Sequence, residues 1–328
     1  MKHFHRFGMI LSGVGLAVLA TGCSAPAPDG TGSSTVPAAD NASISAQEPP
    51  GGESSLESLA SVEVFQADRS ESALPYEDGV LLSHISGSIS YRTGGETRTM
   101  IPQEAGLRMP TGMAVKNHWL FVADGDRVAV FDLDAPAQPL QEIAFGPDDT
   151  SVNDVFVDGD DLYTSVTGTG CIYRTNVSDP SDLSDVDSEL WLNVPGPNGI
   201  TVGNGRMYIA SISPDYQSTN PENVVYEVAD LESPEARPLE GTAPGRYDGV
   251  TLSDDGRILF FSDWNTASMT AMDLDTGDME IVYQESGIGP ADIDVAGNTL
   301  YIPDMNGGRI IAVMAGPGTA PAETASIP

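Results

Sequence analysis

The feature that most constrains this chain is a repeat that occurs six times between residues 61 and 315. Each copy opens with a short polar motif, continues as an apolar strand, turns, and returns as a second strand rich in aromatic residues. The motifs are Ser70-Glu71-Ser72, Pro110-Thr111-Gly112, Val152-Asn153-Asp154, Pro197-Asn198-Gly199, Tyr247-Asp248-Gly249 and Pro290-Ala291-Asp292. With Glu71, Thr111, Asn153, Asn198, Asp248 and Asp292 as reference residues, the repeats begin every 40 to 50 residues. Short strands at this period are typical of propeller blades.

The predicted fold is therefore an all-β, six-bladed β-propeller that spans residues 61–315. The sixth repeat lacks a clear fourth strand after Met314, where the sequence turns to Gly, Pro and Ala. The segment Ser61–Gln66 precedes the first motif and alternates as a strand does, so we expect it to supply the missing outer strand. Closure of this kind removes exposed sheet edges and joins the two ends of the ring. Residues 316–328 are predicted to be a disordered tail.

The N-terminus has the pattern of an export signal. Lys2 and Arg6 precede an apolar stretch, Gly8 to Ala20, which is too short to span a membrane and fits a signal-peptide core. The stretch ends in Ala20-Thr21-Gly22-Cys23, which resembles a bacterial lipobox and predicts lipidation of Cys23 after removal of residues 1–22. Residues 23–60 then form a flexible, low-complexity tether. We expect a lipoprotein that faces the periplasm or cell exterior; ordinary secretion with cleavage nearby is the alternative.

Charge and cysteine content exclude several classes of partner and site. The chain carries 48 Asp and Glu against 14 Lys and Arg, a formal charge of −34. Because nucleic-acid binding draws on clustered basic residues, no nucleic-acid partner is expected. Anionic lipid is disfavoured in the same way, so the membrane contact is predicted to run only through the lipid anchor. With Cys23 lipidated, Cys171 is left without a disulfide partner. We expect a monomer with a solvated acidic surface.

The first strand of each propeller blade lines the central channel, so the motif residues converge on the axis. They include Glu71, Asn153, Asn198 and Asp248, with Asp154 and Asp292 nearby. Carboxylate and amide oxygens are the ligands that a hard divalent cation such as Ca²⁺ requires. Catalytic zinc is disfavoured, because nitrogen and thiolate ligands are scarce in the mature chain. A structural cation without catalysis remains the alternative.

The same motifs resemble the gluconolactonase / senescence-marker-protein / luciferin-regenerating-enzyme-like family. The resemblance is strongest at Pro197-Asn-Gly-Ile-Thr-Val202 and Tyr247-Asp-Gly-Val-Thr-Leu252. It implies a divalent cation, usually Ca²⁺, and hydrolysis of lactones or other esters. By residue, it implies that Asp248 is both ligand and catalytic carboxylate, and that the metal ligands are Glu71, Asn153, Asn198 and Asp248. The motif Ser70-Glu71-Ser72 departs from the family's usual Glu-Gly-Pro.

The second strand of each blade returns to the face that carries these motifs. Its end therefore places further side chains around the predicted pocket: His84 lies at such an end, and Tyr216, Trp264 and Met305 follow such ends. Asp292 of the sixth motif is also assigned to the pocket. Each has an ordinary alternative as a packed or rim residue, and the loop Ser213–Asn223 could cover the pocket or be a variable surface loop. Asp124, Asp263 and Asp304 are expected to support turns. Arg69 and Arg246 adjoin the motifs, but the sequence does not say where their side chains point.

Two functions are compatible with these residues. The first is a metal-dependent hydrolase that acts on a small-molecule lactone or related ester, through attack by water or by a carboxylate. The second is a non-enzymatic, surface-anchored propeller that binds a ligand or partner protein on its top face and keeps a structural cation.

Overall fold

Alternating apolar residues form 24 strands in the computed structural model, which describes residues 59–184 and 186–315. The strands make six four-stranded antiparallel sheets. The predicted six-bladed β-propeller is therefore confirmed. The predicted signal peptide, nearly all of the tether, Cys23 and the tail lie outside the described residues. Within the described part of the chain, no helix is long and apolar enough to cross a membrane.

The first three blades follow one another along the chain. Blade one contains β2 (Ser70–Tyr76), β3 (Gly79–His84), β4 (Ser88–Thr93) and β5 (Glu96–Ile101). Blade two contains β6 (Pro110–Lys116), β7 (Trp119–Asp124), β8 (Arg127–Asp132) and β9 (Gln141–Ala144). Blade three contains β10 (Val152–Asp158), β11 (Asp161–Val166), β12 (Cys171–Asn176) and β13 (Ser188–Asn193). A short 3₁₀ helix, Gln103–Ala105, links the first two blades.

The last three blades repeat the arrangement, and the sixth uses both ends of the domain. Blade four contains β14 (Pro197–Gly203), β15 (Arg206–Ser211), β16 (Tyr226–Val228) and β17 (Ala236–Pro238). Blade five contains β18 (Tyr247–Leu252), β19 (Ile258–Asp263), β20 (Ser268–Asp273) and β21 (Met279–Gln284). Blade six contains β22 (Asp294–Ala296), β23 (Thr299–Asp304), β24 (Arg309–Ala315) and β1 (Leu59–Gln66).

Ring closure occurs where the sequence predicts it. Strand β1 pairs antiparallel with β24, from Leu59 opposite Ala315 to Gln66 opposite Arg309. The N-terminal strand is thus the outer strand of the last blade, and the inner strands of blades one and six are also joined. There the amide of Asp292 donates to the carbonyl of Glu71 at 3.0 Å.

Apolar side chains between neighbouring blades form the core. Leu81 and Ile89 of blade one pack in one cluster with Leu120 and Phe131 of blade two, and all four are fully buried. Burial of each such side chain stabilises the folded chain by about 1.5–3 kcal/mol. Because every sheet is sandwiched between two others, the first strands are held rigidly around the channel.

In blades one to five, a β-bulge lies in the polar motif at the start of the first strand. In blade one, Ser70 pairs with His84 and Ser72 pairs with Ser83, so Glu71 is the extra residue. The same one-residue shift falls within the motifs of blades two to five. Bulges bend a strand and re-aim its side chains, and they occur often beside active sites. The fold therefore presents one re-aimed motif residue per blade at the same level of the channel.

In blade six, the strand register differs by one residue from the register that the repeat spacing predicts. Pro290 pairs with Asp304 and Asp294 pairs with Tyr301, which puts Ala291 at the level of Glu71. Asp292 lies one level further into the channel, with Ser72 and Asp154. The spacing misplaces it by one residue because loops of different length separate the repeats, and only strand pairing sets the register.

Glycine at the second level lets the inner strands approach closely. A Cβ atom on Gly112 would lie 2.0 Å from Oδ1 of Asp154, and one on Gly249 would lie 2.3 Å from the amide nitrogen of Ile293. Neither distance leaves room for a side chain. These glycines allow backbone contact between blades and so set the narrow width of the channel.

Candidate functional site

Four residues from four blades form what we call the mouth ring: Glu71, Asn153, Asn198 and Asp248. Each is less than 10% exposed, although all four side chains are polar. Burial raises the pKa of Glu71 well above its ordinary value, and the negative charges of Asp248, Asp292 and Asp154 raise it further. The carboxylates thus interact across the ring, as the convergence of first strands on the axis predicts.

The mouth ring contains polar atoms that the protein leaves without partners. Within the described residues, Oε2 of Glu71, Oδ1 and Nδ2 of Asn198, and Oδ1 of Asp248 are buried and form no hydrogen bond. A buried polar group without a partner costs about 1–3 kcal/mol. Three unpartnered oxygens from two carboxylates and an amide are a suitable donor set for a hard divalent cation. The residues present therefore fit the cation that the sequence predicts.

Asp248 has one oxygen held and one oxygen free. The indole Nε1 of Trp264 donates to Oδ2 at 2.6 Å, which fixes the carboxylate plane. Burial raises the pKa of Asp248 to about 6, whereas the hydrogen bond from Trp264, the positive charge of Arg246 and the neighbouring side chain of Asn198 oppose the rise. A carboxylate with a pKa in this range is ionised at neutral pH and still a competent proton acceptor.

Tyr216 reaches the mouth ring from the loop Ser213–Asn223. Burial raises the pKa of its phenol; Thr167 and Asn153 beside it act in the opposite direction, and the charges of Asp248 and Glu71 add to the rise. Its backbone has a φ of +56°, in the left-handed region that a bulky side chain rarely adopts.

The loop that carries Tyr216 is tied down by its own polar groups. Oδ1 of Asp215 accepts hydrogen bonds from the amides of Gln217 and Ser218, at 2.9 and 2.8 Å. The amide of Tyr216 donates to the carbonyl of Ser213 at 2.7 Å. The strained backbone is thus held in place, and the phenol is kept beside the ring.

The other predicted pocket residues are placed differently. His84 is hydrogen-bonded to Ser70 Oγ, Asp68 O and Ser90 Oγ at 3.0, 2.8 and 2.7 Å, so blade one holds both of its ring nitrogens. Burial lowers the pKa of His84. Met305 is half-buried in the turn after β23, where its amide donates to the carbonyl of Gly289.

Below the mouth ring lies a channel of about 180 Å³ whose walls include Asp154, Asp292 and Asp294. Burial raises the pKa of Asp154 to about 7 and that of Asp294 to about 6. It also raises the pKa of Asp292 well above its ordinary value. The sequence pointed to Asp154 and Asp292 near the axis, but Asp294 was missed, because it lies beyond the Pro290-Ala291-Asp292 motif and not within it.

Arg246 is a further residue that the sequence left unplaced. Its guanidinium carbon lies 5.6 Å from the centroid of the Trp264 ring, and its Nη2 donates to the carbonyl of Tyr216. It therefore lies beside Tyr216 and Trp264, which are both close to the mouth ring. In the sequence, only its position directly before Tyr247-Asp248-Gly249 indicated that Arg246 could lie near the site.

Acidic residues elsewhere do not contribute to this site. His118, Asp132 and Asp134 bring one ligand atom each within 4.8 Å of one another, at the opposite end of blade two. This group is largely exposed, and such groups are common on an acidic surface.

Comparison with known proteins places the fold. No family model matches the sequence, and no curated protein matches it. A gluconolactonase from Xanthomonas campestris has a TM-score of 0.60 at 16% identity, over 80% of this chain and 92% of that one. A Bacteroides thetaiotaomicron protein of unknown function also has a TM-score of 0.60, at 14% identity, over 80% and 74%. Virginiamycin B lyase from Staphylococcus aureus has 0.53 at 16% identity, over 76% and 82%. The chain has the fold of a gluconolactonase-like β-propeller.

Proposed function

We propose that this protein is a metal-dependent hydrolase of lactones or related esters, with the mouth ring as its active site. The observation that carries the proposal is the set of buried, unpartnered oxygens of Glu71, Asn198 and Asp248 around one axis. A ring that bound no ion would be expected to satisfy these atoms with hydrogen bonds. The gluconolactonase among the structural neighbours supports the choice of reaction.

Each residue of the ring has a role in this proposal. Glu71, Asn153, Asn198 and Asp248 would hold a divalent cation, for which Ca²⁺ is the first candidate. When bound, the cation polarises the ester carbonyl and stabilises negative charge on its oxygen. Asp248 is the proposed catalytic carboxylate, because its Oδ1 is free while Trp264 fixes its Oδ2.

Asp248 acts as the general base in the reaction that we favour. Its Oδ1 accepts a proton from a water molecule, whose oxygen bonds to the carbonyl carbon of the ester. The carbon–oxygen bond to the leaving group then breaks, and the leaving oxygen takes up the proton held by Asp248, which restores the carboxylate. Direct attack by Oδ1 on the carbonyl carbon is the alternative route. In either route Tyr216 and Trp264 limit access of bulk water to the carboxylate.

We also propose that the protein is exported and held at the membrane by a lipid on Cys23, with no nucleic-acid partner. A protein anchored in this way would meet small esters outside the cytoplasm. Incorporation of labelled palmitate into the wild type, and its loss in Cys23→Ser, is the expected result.

The proposed function is tested on the full-length chain by measuring metal content and hydrolysis together. We expect one Ca²⁺ per chain and chelator-sensitive turnover of an aldonolactone or an aryl ester. Asp248→Asn should lower kcat by at least about 1000-fold, since it removes the base. Asp294→Asn is the matched control, because it neutralises a carboxylate in the same channel outside the ring, and it should retain turnover.

Two outcomes would contradict the proposal in different ways. Stoichiometric Ca²⁺ without turnover on a broad panel of esters and lactones would support the non-enzymatic binding propeller instead. Absence of Ca²⁺ binding by the wild type, with the metal supplied in excess, would overturn the cation site itself.

A further inference from the structure

A groove of about 850 Å³ lies on the mouth-ring face, between blades five and six. Its walls offer one guanidinium, one indole and four side-chain amides: Arg246, Trp264, Gln217, Asn265, Gln284 and Asn306. None of the residues that line it, all of them within the described part of the chain, is an Asp or Glu. The protein has 48 acidic residues, so a groove lined by none of them differs in composition from the chain as a whole.

Two other cavities show the contrast. The central channel is lined by Asp154, Asp292 and Asp294, and the groove beside β1 is lined by Glu63 and Asp78 together with Arg92. Of these three cavities, the groove without lining carboxylates repels an anion least.

The acids nearest the groove are occupied by other groups. Asp263 accepts hydrogen bonds from the amides of Arg246 and Asn265 and from the hydroxyl of Thr266, at 3.0, 2.9 and 2.8 Å. Glu285 accepts from the hydroxyl of Tyr283 and from Nη2 of Arg309, both at 2.6 Å. These contacts satisfy both carboxylates and hold them back from the groove.

Arg246 keeps free donors at the groove. It is one of three Lys or Arg side chains, with Arg69 and Arg98, that form no ion pair within the described residues. Its Nη2 binds the carbonyl of Tyr216 and its Nε is buried without a partner. The guanidinium is thus fixed in position while part of its hydrogen-bonding capacity is unused.

We propose that this groove binds an anionic group of the substrate, and that the substrate is an ester or lactone bearing a carboxylate. The inference rests on the proposed function and names the substrate class of the same site. Arg246 forms charge-assisted hydrogen bonds to the carboxylate, and the groove amides bind the polar remainder. Trp264 links the two parts, because it lines the groove and also holds Asp248.

The test uses matched pairs of probes with the full-length, Ca²⁺-loaded chain. Monophenyl adipate carries a carboxylate where phenyl hexanoate ends in a methyl group. The corresponding anilides, adipic acid monoanilide and hexananilide, resist hydrolysis and report binding alone. The variants are Arg246→Gln and the control Arg237→Gln, whose side chain is exposed and paired with Glu235.

We expect wild type to prefer the anionic ester in kcat/KM and the anionic anilide in Kd. Arg246→Gln should reduce both preferences by roughly 10- to 100-fold, the range for a hydrogen bond to a charged group. Arg237→Gln should leave both ratios unchanged.

The inference is overturned if Arg246→Gln weakens the anionic and neutral probes equally, since the residue would then only position Tyr216 and Asp248. It is also overturned if neither protein prefers the anionic probe. Binding of the anionic anilide that depends on Arg246, without hydrolysis of any ester, would support the groove and contradict the proposed hydrolase. Hydrolysis without a preference for the anionic probe would support the proposed hydrolase and contradict anion binding in the groove. The experiment therefore distinguishes failure of the inference from failure of the proposed function.

Discussion

Two sets of buried carboxylates lie on the same face of this propeller and behave in opposite ways. The first set ends the second strands of blades two, five and six: Asp124, Asp263 and Asp304. The second set belongs to the mouth ring, Glu71 and Asp248. All five are less than 10% exposed. They differ in the number of hydrogen bonds that they receive.

The strand-end aspartates are saturated with donors. Oδ1 of Asp124 accepts the amides of Arg108 and Met109, both at 2.7 Å, and Oδ2 accepts Nε and Nη2 of Arg127 at 3.0 and 2.8 Å. Asp304 repeats this pattern with Gly289, Gly307 and Arg309. Burial acts to raise the pKa of Asp304, but these donors together hold it below its ordinary value.

Each mouth-ring carboxylate keeps one oxygen without a donor, Oε2 of Glu71 and Oδ1 of Asp248, although Oδ2 of Asp248 accepts from Trp264. Burial raises the pKa values of both carboxyl groups. Burial alone therefore does not distinguish the two sets of acids; the number of donors does. The strand-end set stabilises the turns that carry the groove and pocket residues. The mouth-ring set costs folding free energy and keeps its oxygens available for a ligand.

Loss of a saturated carboxylate gives the largest expected change in stability. Asp124→Asn removes the charge that pairs with buried Arg127 and should lower the free energy of unfolding by about 3 kcal/mol. Asp126→Asn, an exposed acid that pairs with Arg108, should lower it by less than about 1 kcal/mol. Urea unfolding of the three proteins measures both values. Equal effects would show that donor saturation does not matter at this site.

A change in the mouth ring should act in the opposite direction. Glu71→Gln removes a buried acid whose pKa is raised, so the metal-free protein should gain about 1–2 kcal/mol in unfolding free energy at pH 7. The same substitution should weaken Ca²⁺ binding by roughly 100-fold, because it removes an ionised ligand. Titration calorimetry and urea unfolding in chelator separate the two effects. A loss of stability like that expected for Asp124→Asn would contradict the distinction between the two sets.

The contribution of Asp294 to stability should depend on pH, and this is the smallest of the expected effects. The pKa of Asp294 is about 6 in the folded chain against an ordinary 3.8. Between these values the folded state binds more protons than the unfolded state, so stability falls as pH rises through this window.

Asp294→Asn should remove that loss, because the asparagine oxygen can still accept from Thr251 and Val295. In chelator, the advantage of the variant should grow from near zero at pH 4 to about 1–2 kcal/mol at pH 7. Urea unfolding at four pH values between these limits measures it. A constant difference across the range would show that Asp294 is not desolvated.

Much of the fold could be predicted from the sequence because the repeat is local. Strand alternation, turn residues and six polar motifs indicate the blades one by one, and Ser61–Gln66 is the one spare strand that can complete the last blade. The convergence of Glu71, Asn153, Asn198 and Asp248 follows from blade geometry alone. These features depend on residues that are neighbours along the chain or equivalent in the repeat.

What only the tertiary structure decided lies between blades and at loops. Strand pairing put Ala291 at the ring level where the spacing had put Asp292. The loop from blade four places Tyr216 beside Asn153. Arg246 lies close to both Tyr216 and Trp264. His84, an expected pocket residue, found partners within blade one. All of these features have the same physical reason. The surroundings of a side chain depend on residues that are far away in the sequence. Packing and loop length decide how closely those residues approach, and the repeat pattern does not encode either.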